Sequence, residues 1–292
     1  MTRALVLGGG GVTGIAWHLG LLCGLQRAGV SLTSADTIIG TSAGSVVGTL
    51  VAAGIDLEAA VALQEVPAPH RSGGDGGAGG DNRGATGGDN RNGGSTGRWL
   101  AAMAVLADPS VPAQQARAQV GAMALAAGTP PEQSFLAQIE AILPVRDWPD
   151  RDLRITVVDT ADGRDEVLTA ESGVPLLSAV AASCAVPGLM SPITIGDRRY
   201  MDGGVRLGAG ADLAAGAERV VVIAPLAMLS RDRIVTELAS TGAAKTLLIE
   251  PDEATLEAFG GNFMDPSRRA PSVRAGLAQA EAIADAVRAV WS

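Results

Sequence analysis

Residues Thr37–Gly54 read TIIGTSAGSVVGTLVAAG, and the reading of this stretch decides the fold. A β-branched run, Thr37–Ile39, ends at Gly40, Ser42 sits among small residues, and an apolar, alanine-rich segment follows. The pattern predicts a strand, a tight turn and a helix, with the serine at the apex. Gly40-Thr41-Ser42-Ala43-Gly44 has the G-x-S-x-G form of an elbow that lifts a serine hydroxyl off the end of a sheet strand. Gly40 and Gly44 are what such an elbow needs, because the turn is strained and its neighbours leave little room for a Cβ. Glycine supplies 39 of 292 residues, so the pentapeptide carries weight only through the strand before it and the helix after it.

Upstream, Arg3–Leu7 is an apolar strand candidate running into Gly8-Gly9-Gly10-Gly11, Val12-Thr13-Gly14 and a helical pattern from Ile15 to about Arg27. A glycine turn entering a helix leaves several backbone N–H groups unpaired and pointing one way. Such a turn can hold a phosphate or the oxyanion of an acyl-transfer intermediate. Gly9-x-Gly11-x-x-Gly14 also fits the dinucleotide-binding fingerprint, which expects an acidic residue at the end of the next strand. Asp36 lies at about the right distance but precedes that strand, whose end is occupied by Gly40 and Ser42. A dinucleotide-binding oxidoreductase is therefore the second reading of this turn.

Downstream, Asp56–Glu65 reads as a helix, and Arg71–Gly97 is dominated by Gly, Asp, Asn and Arg. With no aromatic or large aliphatic residue, that segment is expected to be a flexible insertion. Arg98–Leu143 predicts two or three helices, Leu153–Asp159 a buried strand, and Val167-Leu168 a short second one. Pro175–Ala185 reads as an Ala/Leu/Val helix, Ile193–Met201 as an extended pair turning at Gly196-Asp197, and Asp202-Gly203-Gly204 follows directly. Val220–Ala224 and Thr246–Ile249 are further buried strands, and Val273–Val290 closes the chain as a helix. Strands alternating with helices predict an α/β fold, a central, mostly parallel sheet with helices on both faces. The expectation is one domain over residues 1–292 with the insertion at about 71–97.

Composition narrows the function. Hydrophobic residues make up 47% of the chain and aromatics only 3%, so the core is expected to be Ala, Val, Leu and Ile. A net charge of -9 argues against nucleic acid as a partner. No basic amphipathic helix stands out, so contact with a membrane surface is expected to be transient at most. Cys23 and Cys184 lie in apolar runs and read as buried free thiols rather than a disulfide framework. The apolar N-terminal run is too short for a signal peptide, and no stretch is long enough to span a bilayer, which predicts a cytoplasmic protein. Oligomeric state is not legible.

A serine nucleophile needs a proton acceptor. The chain has only His18 and His70, and neither follows Asp202, so the α/β-hydrolase order Ser…Asp…His is excluded. His18 reads as a helix-packing residue and His70 as solvated beside the insertion. A carboxylate is left, and Asp202 is the best placed: it ends an extended segment, and Gly203 and Gly204 let another chain segment come close. The alternative for Asp202 is an ordinary Asp-Gly turn.

A glycine-rich turn G-G-G-x-x-G after the first strand, a G-T-S-A-G elbow after the second and a late D-G-G, in this order over about Leu5–Ala224, resemble the patatin-like phospholipases. The resemblance implies a lipid acyl hydrolase of the phospholipase A or esterase type with a Ser-Asp dyad. Ser42 would be the nucleophile, Asp202 the base, and the backbone of Gly9, Gly10 and Gly11 the oxyanion hole. Gly14, Gly40, Gly44, Gly203 and Gly204 would support these motifs. It implies a lipid or ester substrate, no cofactor and no metal. A non-catalytic lipid-binding module of the same fold is a third reading. Many members carry Arg or Lys where this chain has Thr13, which bears on phospholipid preference more than on acyl hydrolysis. An Asp at its ordinary value of ~3.9 is a poor match to a serine hydroxyl, so geometry and desolvation are expected to do much of the activation. With no histidine to protonate, activity is expected not to fall away around pH ~6.5 as it does in histidine triads. The helix after Ser42 and the Leu176–Leu189 region are expected to line the acyl pocket.

Overall fold

The computed structural model describes residues 1–66 and 91–292, with only the backbone of residues 91–96. His70 and residues 71–90 of the expected insertion lie outside the described residues. The insertion was expected to end at Gly97, yet residues from Arg91 onward already belong to a helix.

The strands are β1 (Arg3–Leu7), β2 (Thr37–Gly40), β3 (Asp152–Asp159), β4 (Asp165–Leu168), β5 (Ile193–Ile195), β6 (Arg198–Asp202), β7 (Arg219–Ile223) and β8 (Lys245–Ile249). The helices are α1 (Gly11–Arg27), α2 (Ala43–Ala52), α3 (Leu57–Glu65), α4 (Arg91–Leu106), α5 (Ala113–Ala126), α6 (Glu132–Ile142), α7 (Leu176–Ser183), α8 (Arg231–Ser240), α9 (Glu253–Phe259) and α10 (Arg269–Trp291). Helix α1 begins at Gly11, not at Ile15, because the glycine turn itself forms the first helical turn. Helices α8 and α9 escaped the sequence reading. Helix α8 buries only Ile234 and Leu238 on its apolar side among four charged residues, and α9 is only 7 residues long, so each offers a short apolar signal.

The strands form one sheet in the order β5-β6-β3-β2-β1-β7-β8, with β4 paired to β3. Its centre, β3-β2-β1-β7-β8, is parallel. The pairs β3–β4, β3–β6 and β5–β6 are antiparallel, so the sheet is mixed rather than parallel throughout. Both faces are covered. Successive side chains of a strand point to opposite faces, and β1 does so cleanly: Leu5 and Leu7 join the larger core with α1, α2, α7 and α10, while Ala4 and Val6 join the smaller one beside α8. Strand β7 repeats this with Val221 and Ile223 against Val220 and Val222. That two-sided burial is why these strands read as continuous apolar runs. No helix among the described residues is long and apolar enough to cross a membrane.

Strand β3 makes the one arrangement that matters most for function. Strands β4 and β6 both pair with Val157 and Val158, so they occupy opposite edges of β3. Strands β4 and β2 share Ile155, so they too are on opposite edges. Strand β2 therefore covers one edge up to Gly40–Ile155, and β6 takes over the same edge from Val157 onward, running the other way. The C-terminal end of β2 and the C-terminal end of β6 meet head to head.

Candidate active site

That meeting point holds Ser42 and Asp202. Ser42 follows β2 as the residue that opens α2, with φ 53° and ψ -120°. Among the described residues only Ser42 and Leu207 have positive φ without being glycine. Such a backbone costs of order 1–3 kcal/mol and persists only where its surroundings hold it. Four contacts hold this one. The Gly44 N–H donates to the Thr41 carbonyl at 2.8 Å and the Ser45 N–H to the Ser42 carbonyl at 2.8 Å. The Ser45 hydroxyl donates to the Ser42 carbonyl at 2.7 Å, and the Ser42 N–H donates to Ser183 Oγ at 2.9 Å. The elbow also lies directly on β1: a Cβ on Gly44 would stand 1.9 Å from the Leu7 carbonyl oxygen.

Asp202 ends β6, opposite Val157. Its N–H donates to the Ala185 carbonyl at 3.0 Å, and its Oδ1 accepts the Gly204 N–H at 2.7 Å. Thr156 of β3 fills the gap between the two strand ends. Its hydroxyl bonds that of Thr41 at 2.7 Å, and a Cβ on Gly203 would stand 2.2 Å from it. The Asp-Gly turn is thus fixed against the elbow rather than being a free surface turn.

Ser42 is 8% exposed and Asp202 5%. Burial raises the Asp202 carboxyl to about 6, against which its hydrogen bond from the Gly204 N–H and the neighbouring Ser42 hydroxyl pull downward. The desolvation expected to activate this Asp is present, but it also overturns the expected pH dependence: a carboxyl near 6 sets the acid limb close to where a histidine would. The folded protein holds this proton more tightly than the unfolded chain does. Protonated Asp202 contributes stability that is complete below 3.8 and is lost as pH rises through about 6.

The glycine turn reaches the same point from β1. The Gly8 N–H donates to the Ile223 carbonyl of β7 at 2.9 Å. Gly9 lies against Ser42, its Cβ position 3.5 Å from Ser42 Cβ, and Gly10 precedes the first turn of α1. Among the described residues no acceptor takes the N–H groups of Gly9, Gly10 or Gly11. Gly14 and Gly40 pack the turn and the elbow against Pro225 and against Gly44-Ser45. All three sequence motifs converge on Ser42.

Other residues do not join them. His18 is fully buried, with Nε2 3.3 Å from the Ile223 carbonyl and Nδ1 without a partner. Burial lowers its pKa to about 4, so it is a neutral packing residue. Asp36 accepts the Arg3 N–H at 2.8 Å, at the opposite end of the sheet from the glycine turn, which removes the acidic partner of the dinucleotide reading. Cys23 is buried, as expected. Cys184 is only half-buried, and its surroundings are not purely apolar: its thiol lies 3.8 Å from Ser45 Oγ and beside Ser42 and Asp202. Burial pushes that thiol up to about 12, with the Asp202 charge adding to the rise, so it is not a thiolate nucleophile.

Sequence reasoning missed Thr156, Ser183 and Ser45. Thr156 has no signal, being one β-branched residue in a buried strand. Ser183 had one: Ser183-Cys184 is the first polar break after Leu176–Ala182, apart from Ser178.

The crystal structure of VipD from Legionella pneumophila superimposes with a TM-score of 0.46 at 15% identity, covering 98% of this chain and 67% of that one. The crystal structure of the type III effector protein ExoU gives 0.36 at 17% identity, covering 96% and 53%. The chain thus spans about two thirds of the length of the first and about half of the second. No curated protein matches. The profile of the patatin-like phospholipases matches residues 5–215, which takes in the glycine turn, the elbow and Asp202-Gly203-Gly204. With most of its length inside that match, the chain belongs to the patatin-like phospholipase family.

Proposed function

We propose that the protein hydrolyses carboxylic esters of lipids with a Ser42–Asp202 dyad. The observation that carries this is the head-to-head meeting of β2 and β6 on one edge of β3, which sets a strained serine beside a buried carboxylate. Ser42 attacks the ester carbonyl carbon while Asp202 takes the hydroxyl proton. The Gly9, Gly10 and Gly11 N–H groups receive the carbonyl oxygen as it gains charge. The alcohol leaves with the proton from Asp202, and a water, activated by the same carboxylate, releases the acid from Ser42. A carboxyl raised to about 6 suits a base at neutral pH far better than one at ~3.9. The half-buried Val186, Leu189 and Met190 follow Ala185, whose carbonyl accepts the Asp202 N–H, and are the apolar side chains offered to the acyl chain.

Treatment with a fluorophosphonate followed by intact-mass measurement tests the reading. The expected result is one adduct on the wild type and none on Ser42→Ala. A folded wild type that stays unlabelled and cleaves no ester would sink it.

A further inference from the structure

Leu207 shares its positive φ, here 56°, with Ser42 alone among the described residues that are not glycine, and the dyad gives it no role. It follows the short turn Gly203–Arg206 that begins at Asp202, and its N–H donates to the Gly204 carbonyl at 3.0 Å. What holds it is α8 and the residue before it. The next four N–H groups all point there. That of Gly208 donates to Ser230 Oγ at 3.2 Å, and those of Ala209, Gly210 and Ala211 donate to Glu237 Oε2 at 3.0, 2.9 and 3.1 Å. Ser230 stands at the N-cap of α8, where a serine ordinarily accepts an N–H of its own helix, and here it accepts none. Gly208, with φ 112°, leaves no room for a Cβ beside Glu237 Oε1. Glu237 itself is 4% exposed, with Arg233 Nε 3.5 Å from Oε1.

The clamped loop reaches the junction through Thr156. A Cβ on Gly210 would stand 3.6 Å from Thr156 Cγ2. The Thr156 hydroxyl bonds that of Thr41, next to Ser42, and lies against Gly203, next to Asp202. Ala209 and Ala211 join the smaller core with Ile39 of β2, the strand that leads into Ser42. The loop is thus continuous with the Asp202 turn and packed on the strand of the elbow. A backbone like that of Leu207 persists only where its surroundings fix it, and a buried carboxyl group is costly without donors. Each supplies what the other needs. Ser230 and Glu237 lie beyond the residues matched by the family profile.

We propose that Glu237 is a positioning residue of the dyad: by gathering the three N–H groups of Ala209–Ala211 on one oxygen, it fixes the loop against Thr156 and so holds the Asp202 turn at the Ser42 elbow. This rests on the hydrolase reading above. Glu237 acts through the loop and takes no part in the chemistry, so its loss falls on kcat and not on KM.

The test is hydrolysis of p-nitrophenyl butyrate by the full chain, with Ser42 labelled to completion by a fluorophosphonate so that kcat is counted per reactive serine. Glu237→Leu, which removes the acceptor, should lower kcat per reactive serine by about 10- to 100-fold with KM within about twofold. Glu237→Gln, which keeps an oxygen for the three N–H groups, should recover it to within about fivefold of the wild type. Fewer reactive serines in Glu237→Leu, each with the wild-type kcat, would overturn the proposal, because Glu237 would then support the fold alone. So would a Glu237→Gln protein as slow as Glu237→Leu. Where Glu237→Leu yields no folded protein, Ser230→Ala decides. It frees the Gly208 N–H alone and should lower kcat per reactive serine about threefold, and a wild-type value would overturn the proposal. Failure of the hydrolase reading looks different: the wild type itself cleaves no ester and takes no fluorophosphonate, and both readings then fall.

Discussion

The two sides of Ser42 are held by different means. On the β3 side the fixing contacts are side-chain hydrogen bonds: Thr41 to Thr156, Ser183 to the Ser42 N–H and Ser45 to the Ser42 carbonyl. On the glycine-turn side no short side-chain hydrogen bond does the fixing: glycines lie directly on backbone and on the Pro225 ring. Gly44 meets the Leu7 carbonyl and Gly11 the Phe263 carbonyl, while Gly10 and Gly14 abut Pro225. The first side can be loosened one hydrogen bond at a time, and loosening should change catalysis more than folding. The second has no slack, and adding a single methyl group should change folding first.

The largest expected effects sit at the junction itself. Ser42→Ala should abolish ester hydrolysis, and Asp202→Asn should lower kcat/KM by roughly a thousandfold or more. Asp202→Asn should also stabilise the protein. Ionised Asp202 at neutral pH forgoes about 3 kcal/mol relative to its protonated form. Urea unfolding at pH 7.5 should show a gain of that order for the variant, shrinking toward zero below pH 4. A loss of stability at pH 7.5 would contradict the burial account of this carboxyl.

Next comes Gly44→Ala, whose new methyl would fall 1.9 Å from the Leu7 carbonyl oxygen. A cost of about 3 kcal/mol or more is expected, read as a drop in the urea midpoint. Ser183→Ala leaves the buried Ser42 N–H without its acceptor. That change should lower kcat by about 10- to 100-fold with KM little altered, since it displaces the nucleophile and not the bound lipid. Equal damage to kcat from Gly44→Ala in a fully stable protein would erase the contrast between the two sides.

Much of this was legible in the sequence, for identifiable reasons. Strands β1 and β7 are buried on both faces, so their apolar runs announce them. The elbow, the glycine turn and Asp202-Gly203-Gly204 are visible because close backbone approach demands glycine at fixed spacings. What stayed hidden depends on long-range pairing. Nothing local to Thr156 or Ser183 says that each will touch the elbow across 115 and 141 residues. The contact of Phe263 with the glycine turn is hidden for the same reason: Phe263 reaches Thr13 across 250 residues through a carbonyl oxygen, which every residue has. The Asp202 carboxyl could not be placed near 6 from sequence either, because its shift comes from burial.

The smallest effect expected is at His18. It is already neutral and sits on the Ile223 carbonyl, so His18→Asn should leave the acid limb of the pH–rate profile where it was.

The most direct test of the Ser42–Asp202 account is the rate of fluorophosphonate labelling of Ser42 from pH 4 to 9, in the wild type and in Asp202→Asn. The account predicts a wild-type rate that rises through a midpoint near 6, the value to which burial raises Asp202. It predicts a far slower, nearly flat profile for the variant. Labelling of Asp202→Asn at the wild-type rate, or with the same midpoint, would show that another group takes the proton.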